Sequence, residues 1–125
     1  MPHRILVVDD EQPILFALRE YFSLFGYRVD CAGERQKAES LMANGLYDAA
    51  ILDLRLSGID SMEGLDLVRY AREHSPRIRI CLLTAYGNPL VEEEARRLGV
   101  HAFLHKPMPL PEILRIVTDL LSTPS

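Results

Sequence analysis

Apolar residues along the chain follow two alternating patterns. Short unbroken apolar runs recur, and each is followed by a longer stretch with apolar residues three or four apart. Ile5-Leu6-Val7-Val8 is the first run, closed by Asp9-Asp10. A run of this kind suits a strand buried on both faces, as parallel sheets contain. Pro13 then fits the first turn of a helix, with Ile14, Leu18, Phe22 and Phe25 at helical spacing and Gly26 as its stop. Tyr27 to Cys31 reads as a second strand and Glu34 to Asn44 as a second helix, stopped at Gly45. Asp48 to Leu52 is a third strand ending at Asp53, followed by a Ser- and Gly-rich loop from Arg55 to Ser61. Gly64 to His74 is a third helix, Ile78 to Leu83 a fourth strand ending at Thr84, and Pro89 to Leu98 a fourth helix. That helix has Glu92, Glu93 and Glu94 early and Arg96 and Arg97 late, the order its dipole favours. Val100 to His105 is a fifth strand ending at Lys106-Pro107, and an apolar stripe from Ile113 to Leu121 marks the last helix.

Strict strand–helix alternation predicts an α/β fold with a parallel sheet and helices on both faces. Five units are too few for an eight-stranded barrel, so an open doubly wound sheet is expected.

The 125 residues suit one domain, here 1–121, with 122–125 as a tail or the start of a linker. The formal net charge of −4 argues against a nucleic-acid module. No apolar run approaches the ~20 residues of a membrane span. The opening residues meet charge too soon for a signal peptide, so the expected compartment is the cytoplasm. Cys31 and Cys81 form neither a disulfide framework nor a zinc site and read as buried thiols.

In open α/β sheets, ligands bind beyond the carboxyl ends of the strands. Those ends bring together Asp9, Asp10, Asp53, Thr84 and Lys106. Two carboxylates ~5 Å apart repel by roughly 3 kcal/mol at an effective dielectric near 20, so the cluster needs counter-charge. Lys106 supplies one positive charge, and a hard divalent cation such as Mg²⁺ would supply more. A carboxylate can be a nucleophile and form an acyl phosphate, with metal and ammonium offsetting charge on the transferring phosphoryl oxygens. Taken singly, Asp9-Asp10 could be helix capping, Lys106 a solvated lysine, Thr84 a strand-end hydroxyl and Phe103 a core residue. For Asp9-Asp10, Thr84 and Lys106, their joint placement with Asp53 favours the chemical reading.

Leu6-Val7-Val8-Asp9-Asp10-Glu11, Ile51-Leu52-Asp53-Leu54-Arg55-Leu56, Leu83-Thr84-Ala85-Tyr86-Gly87 and Leu104-His105-Lys106-Pro107 resemble, in order, the motifs of the receiver domain of two-component response regulators. The resemblance spans essentially the whole chain. It implies strand order 2-1-3-4-5 and a signalling domain, not a metabolic enzyme, whose own chemistry is limited to gaining and losing a phosphoryl group. Asp53 would be the phosphoacceptor, charged by a sensor histidine kinase or a histidine phosphotransfer protein. Asp10, Asp53 and the backbone carbonyl of Arg55 would ligate Mg²⁺, with Asp9 acting through water. Thr84 and Lys106 would grip phosphoryl oxygens, Phe103 would be the aromatic switch that turns inward as Thr84 moves, and the Lys106–Pro107 bond would be cis. The surface of helix four, strand five and helix five would signal to a downstream protein or a C-terminal output domain, and homodimerisation on phosphorylation is left open. No direct contact with nucleic acid or membrane is implied.

One loop departs from the family. Pro and Gly usually stand four and eight residues after the acceptor. Here those positions hold Ser57 and Ser61, and the matching Gly-Leu is Gly64-Leu65. About three residues are therefore inserted between Gly58 and Glu63, which loop-closure entropy tolerates. Arg55 and Tyr86, beside the acceptor, are expected to shield the acyl phosphate from water. In the family order, Cys31 and Cys81 lie three strand spacings apart, roughly 14 Å, too far for a disulfide. His101 and His105, ~13 Å apart along one strand, are too far to share an ion. A phosphorylation-independent binding module is the competing reading. An aspartate-nucleophile phosphatase is disfavoured because Asp53-Leu54-Arg55 lacks a second acid, and a nucleotide site because Asp9-Asp10-Glu11 would repel phosphate.

Overall fold

The computed structural model describes residues 2–56 and 63–123. Ten elements alternate: β1 (Arg4–Val8), α1 (Gln12–Leu24), β2 (Arg28–Ala32), α2 (Arg35–Asn44), β3 (Ala49–Leu52), α3 (Glu63–His74), β4 (Arg79–Thr84), α4 (Pro89–Arg97), β5 (Ala102–His105) and α5 (Leu110–Ser122). The strands form one parallel sheet in the order β2-β1-β3-β4-β5.

Successive strand residues face opposite sides of a sheet, and both sides are covered here. Leu6, Val8, Ala50, Leu52, Ile80, Leu82 and Phe103 pack with Ala38 and Met42 of α2, Val68 and Ala71 of α3 and Ala95 of α4. Their neighbours Ile5, Val7, Ala49, Ile51, Cys81, Leu83 and Leu104 pack with Leu15, Leu18 and Phe22 of α1 and Ile113 and Val117 of α5. This double burial is why the strands read as unbroken apolar runs rather than as alternating ones.

Local signals set the element ends. Pro sits in the first turn of α1, α4 and α5. Asn88 Oδ1 accepts the Val91 N–H at 3.0 Å and caps α4. Gly26 and Gly99 follow α1 and α4 at φ 91° and 95°, where a side chain would strain the backbone.

The ends of α5 and the start of β5 add detail to the sequence reading. Helix α5 begins at Leu110, three residues before the apolar stripe, because Pro109 and Pro111 suit the cap and first turn. It ends at Ser122, and Arg79 Nη2 donates to the Thr123 carbonyl at 2.6 Å. Strand β5 starts at Ala102 rather than Val100 because the His101 ring enters the ladder, Nδ1 accepting the Ile80 N–H at 3.1 Å.

Cys31, Val7, Ile51 and Cys81 share one row across the sheet, which puts the two cysteines three strands apart, both free. Burial pushes the Cys81 thiol up to about 12. Among the described residues, no helix is long and apolar enough to cross a membrane. Ser57, Ser61 and all of the expected insertion segment, Gly58 to Glu63, except Glu63 lie outside the described residues. Its far anchor, Gly64, does not: its N–H donates to the Leu54 carbonyl at 2.9 Å. An added Cβ there would stand 2.4 Å from the Asp53 carbonyl oxygen and 2.6 Å from Leu54 Cα. Only glycine allows α3 to start so close to the acceptor strand, which supports the Gly64-Leu65 register.

Candidate functional site

Asp9 and Asp53 directly follow β1 and β3, Thr84 is the last residue of β4, and Lys106 directly follows β5. Parallel strands put all these ends on one edge of the sheet. The Asp53 N–H donates to the Val8 carbonyl at 2.9 Å and the Lys106 N–H to the Thr84 carbonyl at 2.9 Å, so the sheet ladder itself fixes their backbones.

Carboxylate oxygens of Asp9, Asp10, Glu11 and Asp53 lie within 4.8 Å of one another. Asp9 and Asp53 are buried, whereas Asp10 and Glu11 are exposed. The Lys106 ammonium sits among three of these groups, 2.8 Å from Asp9 Oδ2, 2.9 Å from Glu11 Oε2 and 3.3 Å from Asp53 Oδ2. Burial raises the Asp9 carboxyl above its usual range, against the opposing pull of the Lys106 and Glu11 N–H bonds. Burial by itself would pull the Lys106 ammonium down, but hydrogen bonds to Asp9 and Glu11 and the charges of Asp9 and Asp53 hold it above its ordinary value. The cluster therefore keeps its central cation charged.

Asp9 combines the bland and the chemical readings: its Oδ1 accepts the Glu11 N–H at 2.9 Å at the start of α1, and its Oδ2 holds Lys106. Thr84 is fully buried, and its hydroxyl oxygen accepts the Tyr86 N–H at 3.1 Å, leaving the hydroxyl proton free to donate. The Arg55 N–H points to Asp53 Oδ1 at 3.4 Å, and its guanidinium carbon lies 4.2 Å from the Tyr86 ring centroid. Arg55 Nε is buried with no hydrogen-bond partner among the described residues, and the guanidinium stacks on the ring. Phe103 is buried on the α2–α3–α4 side of the sheet. The Lys106–Pro107 peptide is cis.

The structure thus brings Asp9, Asp10, Asp53 and Lys106 together and puts Thr84 on the same sheet edge. It does not bring His101 near His105, which packs on Phe103 instead. Sequence reasoning gave no role to Glu11, whose carboxylate holds Lys106. The signal lay in its place directly after Asp9-Asp10, but its partner is 95 residues away. From the acidic cluster a cavity of about 650 Å³ runs between α1 and α5, with Ile14, Leu18, Met108, Leu110 and Ile113 along its apolar side.

Comparison with known proteins agrees with this geometry. The sequence profile of the response regulator receiver domain matches residues 5–118. The chain is 32% identical over 123 residues to the regulatory protein AtoC of Escherichia coli, covering 98% of this chain and 26% of that protein. It spans about half the length of other curated relatives it matches. It is 31% identical over 121 residues to sporulation initiation phosphotransferase F of Bacillus subtilis, covering 97% of this chain and 95% of that one. A response regulator from Burkholderia pseudomallei, solved with a phosphorylated aspartic acid, calcium ion and citrate, superimposes with a TM-score of 0.82 at 27% identity, covering 98% of this chain and 75% of that one. The profile match over nearly the full length, together with acid, hydroxyl and ammonium groups at the strand ends, shows that the chain belongs to the response regulator receiver domain family of two-component systems.

Proposed function

We propose that this receiver takes a phosphoryl group onto Asp53 from a histidine kinase or a histidine phosphotransfer protein, and uses it to alter a protein-binding surface. The observation that carries this reading is the pairing of a buried Asp53 with Lys106 beside further carboxylates, with the buried Thr84 at the end of a strand on the same sheet edge. An Asp53 carboxylate oxygen forms the new O–P bond while the P–N bond to the donor imidazole breaks and the leaving nitrogen keeps the electron pair. The Lys106 ammonium, already within reach of Asp53, stabilises negative charge on one phosphoryl oxygen, and the Thr84 hydroxyl donates to another. The acidic oxygens are hard donors spaced for one small divalent cation, and they fit Mg²⁺. Asp10, Asp53 and the Arg55 carbonyl would hold it, with Asp9 acting through water. When bound, Mg²⁺ supplies Lewis-acid stabilisation of phosphoryl charge.

Arg55, stacked on Tyr86 at the mouth of the site, limits the approach of water to the acyl phosphate. The site faces the cytoplasm in this reading. Output passes through the α4–β5–α5 surface to a partner protein, an output domain or a second copy.

Beryllofluoride, which mimics a phosphoryl group on a carboxylate, tests the reading with Mg²⁺ by thermal denaturation. A ligand at about 100 times its Kd stabilises the fold by about 2.7 kcal/mol, on the order of 10 °C in Tm for a domain of this size. The increment is expected in the parent protein and absent in Asp53→Asn and Asp10→Asn. An equal increment in Asp53→Asn, or none in the parent, overturns the reading.

A further inference from the structure

The Lys106 ammonium is fully engaged before any phosphoryl group arrives. An ammonium has three N–H donors and accepts nothing. Asp9 Oδ2 at 2.8 Å, Glu11 Oε2 at 2.9 Å and Asp53 Oδ2 at 3.3 Å take all three. Only the longest of these contacts is directed at the acceptor, and the two shorter ones hold the ammonium toward the turn between β1 and α1. Those two differ in kind. Asp9 is buried, so its contact with the largely buried Lys106 is screened little and is costly to break. The Glu11 side chain is 58% exposed against 12% for Lys106, so its contact is the one that yields at low cost. The Glu11 backbone is nonetheless firmly fixed. It is the N-cap residue of α1, its carbonyl accepts the Ile14 and Leu15 N–H groups at 3.0 and 3.2 Å, and its own N–H donates to Asp9 Oδ1 at 2.9 Å. From that anchor the carboxylate reaches a residue 95 positions away.

We infer that Glu11 is a positioning residue that holds the Lys106 ammonium toward the β1–α1 turn and competes for it with a phosphoryl group on Asp53. The inference rests on the phosphoacceptor reading of Asp53. A phosphoryl group draws the ammonium toward its own oxygens, and the Glu11 contact is the one that opens. Glu11 therefore favours the unphosphorylated site, and it does so through Lys106 rather than by touching a reacting atom.

Beryllofluoride affinity at saturating Mg²⁺, measured by isothermal titration calorimetry, tests the competition, with a doubling of Mg²⁺ as the check on saturation. Glu11→Gln removes the charge. Glu11→Asp keeps the charge in the cluster but is one methylene too short to hold the ammonium where it stands. Both are expected to bind beryllofluoride about threefold more tightly than the parent, the scale of a half-exposed ion pair. Tm without ligand is read beside the affinity, because a merely structural pair would change Tm and leave the affinity alone. Affinity equal to the parent's in both variants, or weaker, overturns this inference alone. Tightening in Glu11→Gln but not in Glu11→Asp assigns the effect to the charge of the cluster and overturns it as well. Failure of the parent to bind beryllofluoride overturns the phosphoacceptor reading, and this inference with it.

Discussion

Lys106 shows how single residues make this site. Its ammonium has three carboxylates within 3.3 Å, two of them on buried side chains. Removing one partner of a buried ion pair costs several kcal/mol because the other charge is left uncompensated. Lys106→Met is therefore expected to lose about 3 kcal/mol of stability at pH 7. The folded-state pKa of Asp9 is raised, so above the ordinary Asp value the folded protein binds more protons at this group than the unfolded chain. Through this group the fold gains stability as pH falls, and the gain is larger once Lys106 no longer opposes it. Denaturant titrations should show the Lys106→Met deficit shrinking between pH 7 and about pH 5; an equal deficit at both would contradict the cage. Arg55 and Tyr86 make a second residue-scale prediction. A cation–π contact contributes about 0.5–2 kcal/mol, so Arg55→Ala and Tyr86→Ala should each shorten the acyl phosphate lifetime by up to about thirtyfold. Unchanged dephosphorylation rates in both would remove their shielding role. Asp53, Thr84 and Lys106 were legible in the sequence because strand ends announce themselves as polar residues closing apolar runs. The role of Glu11 was not, because it joins Lys106, a residue distant in sequence, and their meeting depends on the packed fold.

Among the elements, the β4–β5 pairing contains a titratable member. His101 Nδ1 accepts the Ile80 N–H, which only an imidazole unprotonated at Nδ1 can do. Burial, then the charges of Arg72 and Arg79, lower its pKa below the ordinary histidine value. Those two arginines come from α3 and β4. A lowered folded pKa means that stability is full above about pH 6.5 and is lost as pH falls through the folded value. His101→Leu should cost up to about 1 kcal/mol at pH 7.5 and should lack the parent's acid-dependent loss at this group. If parent and variant lose stability in parallel as pH falls through that window, the ladder role fails. Element type was legible throughout because doubly buried strands and amphipathic helices differ in period. Ends were less so: β5 begins two residues late because a side chain replaces a ladder bond, and α5 begins early on its two prolines. The start of α3 was legible after the altered loop from the Gly-Leu motif, and the structure shows why a glycine stands there: Gly64 lies against Asp53 and Leu54.

For the whole molecule, the sheet order and the two helical layers bring four strand ends to one edge, so that residues from positions 9 to 106 form one site. Strand–helix alternation predicted the layers; the order of the strands came from the family resemblance and is borne out. The family is shown, and the central claim beyond it is that this assembly makes Asp53 an acceptor that depends on a divalent cation. The most direct measurement is intact mass after incubation with Mg²⁺ and a small acyl phosphate donor, for the parent and for Asp53→Ala. The account predicts one phosphoryl adduct in the parent that requires Mg²⁺ and is absent from Asp53→Ala. No adduct at saturating donor and metal, or an adduct that persists in Asp53→Ala, would contradict it and favour a receiver that binds its partner without phosphorylation.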